Sequence, residues 1–290
     1  MEVPYQYQSI NILSNSSSST PNQISTVLSY PVNFKEWSVA LSSLYIYYSW
    51  PNISPSYANQ SYSYIFNNTT YSITMPLGNY EISDLNGYLE FEMNLNGHYL
   101  LDQNSSPVYF LEFQENSVYY AITLTATPIP ASLPSGWTNP KNITLSGVSP
   151  QIVIPSTVSN DGLTSISILT GFTPGTYPTN PSSSIYQVNS QNAPQISPVT
   201  SVQVLVNCAV PSFFNSNPST IYNFTSNVSY GSLISVIPNP QIFFPVADGT
   251  YSQLTITLVD QNNRPLPILD PEINATLYFR KNEMKRVNRT

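Results

Sequence analysis

Proline stands at 26 of 290 positions, spread along the chain, so few stretches are free enough of breakers to hold a helix. The same chain carries 22 Tyr and 12 Phe, residues that favour strands, and runs of Asn, Ser and Thr that favour turns. Long Ala/Glu/Lys/Leu stretches are missing. Few charges with many aromatics is the opposite of a disordered composition. The length suits one large all-β domain or two small ones.

Periodicity supports that reading. Tyr5 to Leu13 reads as a first strand and Ser14–Thr20 as a loop. From Trp37 the pattern alternates, with Trp37, Val39 and Leu41 on one face, until Pro51. Tyr62–Phe66 and Tyr71–Met75 form a hairpin-like pair. The one good helix signal runs from Gly78 to Met93, with Ser83 or Asp84 to cap it, Leu85, Tyr88 and Leu89 on one face, and Gly97 to end it. Gly87 weakens it, and the helix is expected on a sheet edge. Val108–Phe113 and Ser117–Thr127 make another pair.

Pro128 to about Thr200 is dense in Pro and Ser. It reads as extended loops around one strand, Gln151–Ile154, anchored by Ile152, Ile154, Ile166, Ile168 and Phe172. Strand signals then return at Ser201–Cys208, Ile221–Phe224, Leu233–Val236, Gln241–Val246, Tyr251–Val259 and Ile273–Arg280. Many short strands with irregular connections point to a sandwich or jelly roll. The expected organisation is one domain over 1–290, a Pro/Ser-rich loop region at 127–199 within it, and a basic tail at 281–290.

Charge separates that tail from the rest. Only 8% of residues are charged, and five of the eight basic ones are Arg280, Lys281, Lys285, Arg286 and Arg289. Lys35, Lys141 and Arg264 are the others. A body so poor in charge resembles an interface more than a free surface, and is expected to be surrounded by copies of itself or by partners. The net charge of -7 argues against nucleic-acid binding by the body, whereas the tail suits nucleic acid or an acidic neighbour. Neither a signal peptide nor a membrane span is read from the sequence.

No reacting constellation emerges. His98 has Asp102 nearby but no serine in a nucleophile elbow, and reads as a surface or turn histidine. One His and the single Cys, Cys208, cannot make a zinc site, and Cys208 reads as a buried small hydrophobe. Asp260, Asp270 and Glu272 suit Ca²⁺ by chemistry, but turn formation explains them more simply. Glu90 and Glu92 do not share a helix face. Tyr45, Tyr47 and Tyr48 suit core, interface or sugar stacking. The chain is therefore read as a non-enzyme with no cofactor.

Four ordered segments carry a resemblance. They are Ser14-Asn-Ser-Ser with Trp37-Ser-Val-Ala-Leu-Ser-Ser-Leu-Tyr-Ile-Tyr-Tyr-Ser-Trp-Pro-Asn; Leu77-Gly-Asn-Tyr-Glu-Ile-Ser-Asp-Leu-Asn-Gly-Tyr-Leu; Leu169-Thr-Gly-Phe with Gly175-Thr-Tyr-Pro; and Asp248-Gly-Thr-Tyr with Leu258-Val-Asp-Gln-Asn-Asn-Arg-Pro-Leu. Together, over roughly 10 to 280, they resemble the penton (minor capsid) proteins of virophages and of Polinton-like and adintovirus-type DNA viruses. The resemblance implies a single jelly-roll β-sandwich with an elaborated middle. It implies a homopentamer at the fivefold vertices of an icosahedral virion, made in the host cytoplasm or viral factory and contacting the major capsid protein. The basic tail would then touch packaged DNA or a neighbouring subunit. Two alternatives stand beside it: a trimeric double-jelly-roll major capsid protein, and a glycan-binding attachment module.

Overall fold

The computed structural model describes residues 7–13, 20–156, 165–210 and 219–281. In chain order the strands are β1 (Tyr7–Leu13), β2 (Gln23–Asn33), β3 (Trp37–Tyr47), β4 (Ser61–Phe66), β5 (Thr69–Thr74), β6 (Leu100–Leu101), β7 (Pro107–Val108), β8 (Leu111–Asn116) and β9 (Ala121–Ala126). They continue as β10 (Gln151–Ile154), β11 (Gly175–Tyr177), β12 (Tyr186–Asn189), β13 (Val202–Val206), β14 (Thr220–Phe224), β15 (Leu233–Val236), β16 (Phe244–Pro245), β17 (Thr250–Asp260) and β18 (Ile273–Lys281). The α-helices among the described residues are α1 (Ile82–Leu95) and the short α2 (Ser167–Thr170), and Pro55–Tyr57 forms a 3-10 turn. The chain is all-β, and it divides into two compact units, residues 1–50 with 199–290 and residues 51–198.

The first unit is a jelly roll. One sheet runs β1-β18-β3-β15, with β16 also on β3, and the other runs β14-β13-β17-β2. Setting β16 aside, eight strands remain. The first pairs with the eighth, the second with the seventh, the third with the sixth and the fourth with the fifth, all antiparallel. That is one long folded ribbon wrapped so that successive pairs fall alternately into two sheets.

Its core follows from the period of the strands. In β18 every second residue, Ile273, Ala275, Leu277 and Phe279, is buried. In β3 the buried Leu41 and Leu44 are three apart, which strict alternation would put on opposite faces. The register explains it: Thr276 pairs with Ser43 and Leu277 with Leu41, so Ser42 is the extra residue of a bulge. Phe34, fully buried, stacks on Phe279 at 4.6 Å and meets Trp37 edge-on at 5.8 Å.

Several strands depart from expectation: the short β6 and β7, β11 and β12 in the region read as loops around one strand, and, in the first unit, β2. β2 has 11 residues and carries Pro31. It is an edge strand, and its pairing with β17 jumps from Val27↔Gln253 to Val32↔Tyr251. Pro31 lies in that irregularity, where no ladder N–H is required of it.

The second unit is larger than the expected 127–199 loop region, because it begins at Pro51. The hairpin β4–β5 and the helix α1 belong to it. Its sheets run β11-β10-β4-β5 and β12-β9-β8, with the small pair β6-β7. Tyr64 of β4 pairs with Ile152 of β10, so the Pro-rich middle is built into a sheet that starts much earlier in the chain. This pairing pattern does not repeat that of the jelly roll, so the two-roll architecture is not seen among the described residues. Ile152, Ile154, Ile166 and Phe172 are buried as expected, whereas Ile168 is 51% exposed.

Helix α1 packs against the edge strand β8, as expected, burying Leu85, Leu89 and Met93. The Asn86 side-chain carbonyl accepts from the Phe113 N–H at 2.9 Å, satisfying a donor on that edge. The helix N-cap is Glu81, not Ser83 or Asp84; Asp84 instead reaches back to accept from the Glu81 N–H at 2.9 Å. At the other end the His98 N–H donates to the Met93 carbonyl and the Gly97 N–H to the Asn94 carbonyl, at 2.8 and 2.9 Å. This is a Schellman ending, and it needs the left-handed Gly97, whose φ is 75°.

Candidate assembly surface

The outer face of the β1-β18-β3-β15 sheet is a candidate assembly surface. Because Ile12, Leu44, Ile46, Ile273 and Ala275 point inward, their neighbours Leu13, Tyr45, Tyr47 and Asn274 point out. With Leu233 of β15 these four line a shallow groove of about 390 Å³ that also reaches Glu272. Leu13 and Leu233 are 52% and 47% exposed. Tyr45 and Tyr47 are half-buried sheet-face residues, whereas Tyr48, also half-buried, lies just past β3 against Trp50 and Tyr230.

The far end of this face is aromatic. Tyr7 stacks on Tyr278 with ring centroids 5.3 Å apart, and Phe243 lies 6.2 Å from Tyr278. The Arg280 guanidinium sits 4.0 Å over the Phe243 ring. Arg280 and Lys281 therefore belong to β18, not to a separate tail. Lys285, Arg286 and Arg289 lie outside the described residues.

The remaining sequence candidates resolve into structural roles. Asp260 Oδ1 accepts from the N–H groups of Asn262 and Arg264 at 2.8 and 2.9 Å, and Oδ2 accepts from Arg264 Nε at 2.7 Å. Both oxygens of this buried carboxylate hold a turn. Asp270 accepts from the Glu272 N–H in the same way. Glu90 takes a hydrogen bond from Asn86 at 2.7 Å. Cys208 is fully buried, and burial pushes its thiol up to about 12, away from nucleophilic chemistry.

His98 is the residue the sequence placed wrongly. It follows the helix-ending turn as expected, but it is only 7% exposed. The ring stacks on Phe66 at 4.1 Å and meets Tyr71 edge-on at 4.5 Å. Its Nδ1 lies 2.9 Å from the Tyr64 hydroxyl. Asn96 Nδ2 donates both to the Glu92 carbonyl at 2.8 Å and to that hydroxyl at 3.1 Å. The carbonyl can only accept, so the amide orientation is fixed. The Tyr64 oxygen, already accepting from Asn96, either donates its proton to His98 Nδ1 or accepts from Nδ1–H with its second lone pair, according to the imidazole tautomer.

Burial holds His98 neutral, its pKa lowered from 6.5 to about 4. The folded value lies below the unfolded one, so the stabilisation is complete above pH 6.5 and is lost as the pH falls towards 4. The loss reaches at most about 3 kcal/mol. Chemical denaturation of wild type and His98→Gln between those pH values checks this: the difference between the two should shrink as the pH falls.

No protein-family model and no curated protein match the chain. Among solved structures it is similar to the selenomethionine-labelled penton protein of mavirus, at TM-score 0.45 and 11% identity, covering 97% of this chain and 100% of that one. It is also similar to a chain of the Sputnik virophage structure determined by cryo-EM at 3.5 Å, at TM-score 0.37 and 16% identity, covering 96% of this chain and 98% of that one.

Proposed function

We propose that the chain is a structural capsid protein that self-associates as a pentamer and occupies the fivefold vertices of an icosahedral DNA-virus shell. The observation that carries the reading is the outer sheet face of the roll. The roll alone names no function, since the same architecture serves lectins and enzymes. A face of Tyr, Asn, Ser and Leu with so few charges, on a chain only 8% charged, is the composition of surfaces that meet other protein. The ordered sequence segments between Trp37 and Leu266 point the same way.

The groove between Leu13 and Leu233 supplies the test. Both residues are exposed in the monomer, so Leu13→Glu with Leu233→Glu should change its stability by no more than about 1 kcal/mol. In an interface the same carboxylates would be desolvated without partners. Sedimentation velocity should then show the wild-type oligomer and a dissociated, folded double variant. An unchanged oligomer would place the contact elsewhere.

The tail has its own test. In this reading residues 282–290, with Lys285, Arg286 and Arg289, contact DNA or a neighbouring capsid subunit. Removing them should lower particle yield when the chain is assembled with its major capsid protein, and should leave the melting temperature unchanged. Normal particle yield would remove the tail from assembly.

A further inference from the structure

Beside His98 the second unit holds a broad, open cavity of about 440 Å³, lined by Phe66, Asn67, Tyr71, His98, Lys141 and Asn142 among others. The hairpin turn of β4–β5 brings Asn67 to it, in a left-handed conformation with φ 47°. Asn142, at φ 54°, comes from the segment after Lys141. Lys141 runs past the end of α1: a Cβ on Gly97 would lie only 3.0 Å from its Cγ, so the glycine makes room for the lysine stem.

The chemistry of the lining is selective. Tyr71 is half-buried and is backed on one side by Tyr64, their rings stacked at 5.2 Å, so it offers an aromatic surface to the cavity. Tyr64 occupies His98 Nδ1, and Nε2 makes no hydrogen bond with the described residues, so it is open to donate or accept according to the tautomer. Asn67 and Asn142 add amides. The chain has 15 carboxylates against 8 basic side chains, yet among the described residues no carboxylate lines this cavity and its one charge is the Lys141 ammonium. A flat ring, neutral hydrogen-bonding groups and one cation are together what a carboxylated sugar needs: stacking for its C–H face, hydrogen bonds for its hydroxyls and a partner for its acid.

We infer that this cavity binds an acidic monosaccharide, a sialic or uronic acid at the end of a glycan. The inference does not depend on the assembly reading, because it rests on the second unit alone. The test is saturation-transfer NMR of the full chain with N-acetylneuraminic acid and glucuronic acid, with methyl galactoside and acetate as the neutral and the ring-free probe. At least one acidic sugar should give saturable transfer, and Lys141→Met should weaken it about tenfold, while Lys141→Arg retains most of it. Lys141 is exposed, so neither variant threatens folding. No transfer from either acidic sugar overturns the inference. So does transfer from methyl galactoside of equal strength, displacement by acetate at equal concentration, or binding that Lys141→Met leaves intact.

Discussion

Gly171→Ala is expected to destabilise the second unit by about 2–5 kcal/mol. Gly171 closes α2 at φ 75°, and its N–H donates to the Ser167 carbonyl at 2.8 Å. A side chain there carries left-handed strain of about 1–2 kcal/mol. Steric overlap adds to it. A Cβ built on Gly171 overlaps the carbonyl oxygen of Asn192, a backbone atom that no rotamer change can withdraw. That carbonyl belongs to a segment tied to the same turn, because the Asn192 N–H donates to the Gly171 carbonyl at 3.0 Å. Relieving the overlap must therefore shift backbone, at a further cost of about 1–3 kcal/mol. The contrast is Gly87→Ala within α1, where an added Cβ meets nothing within 4 Å. That change should stabilise the helix by about 0.5–1 kcal/mol. Hydrogen exchange on both variants reads the two effects in peptides from the α2 turn and from α1. Equal protection in the two would mean that Gly171 is not required by its turn.

Phe34→Ala should cost the jelly roll about 3–5 kcal/mol. Phe34 follows β2 of one sheet and stacks on Phe279 of the other, with Tyr251 tilted against it at 5.9 Å. Its N–H is held by the Gly249 carbonyl at 3.0 Å, so the backbone stays in place when the ring is removed and the hole does not close. The truncation thus loses both the transfer energy of the ring and contacts in both sheets. Phe34→Leu keeps most of the volume and should cost about 1.5 kcal/mol or less. Urea denaturation of the two variants against wild type measures the difference; a Phe34→Ala variant as stable as Phe34→Leu would mean that this ring does not join the sheets.

What could be read from the sequence depended on how local the cause was. β18 and β17 were readable because alternation alone sets which residues face the core. β10 was found at Gln151–Ile154 as a short apolar run between prolines, buried at three of its four residues. The helix ending was readable because Gly97 is required by the turn itself. β2 was not, because Pro31 breaks the pattern of a strand, and only its position at a sheet edge and in an irregular register makes it acceptable there. The extent of the second unit was hidden because it depends on Tyr64 finding Ile152 across a long stretch of chain. His98 was misplaced for a related reason: its partners Tyr64, Phe66 and Tyr71 lie on another hairpin. One signal was present. The residue after the glycine of a Schellman ending commonly packs back on the last turn, and His98 occupies that position. The outer sheet face could be inferred only as a composition, since which tyrosines point outward depends on the bulge at Ser42.

If the roll assembles through a nearly uncharged face into a closed ring of copies, the ring can be weighed. Native mass spectrometry of the purified full chain should find five copies of the 32.2 kDa chain in one complex. Three copies, or a monomer that stays single at micromolar concentration, would rule out the pentameric ring.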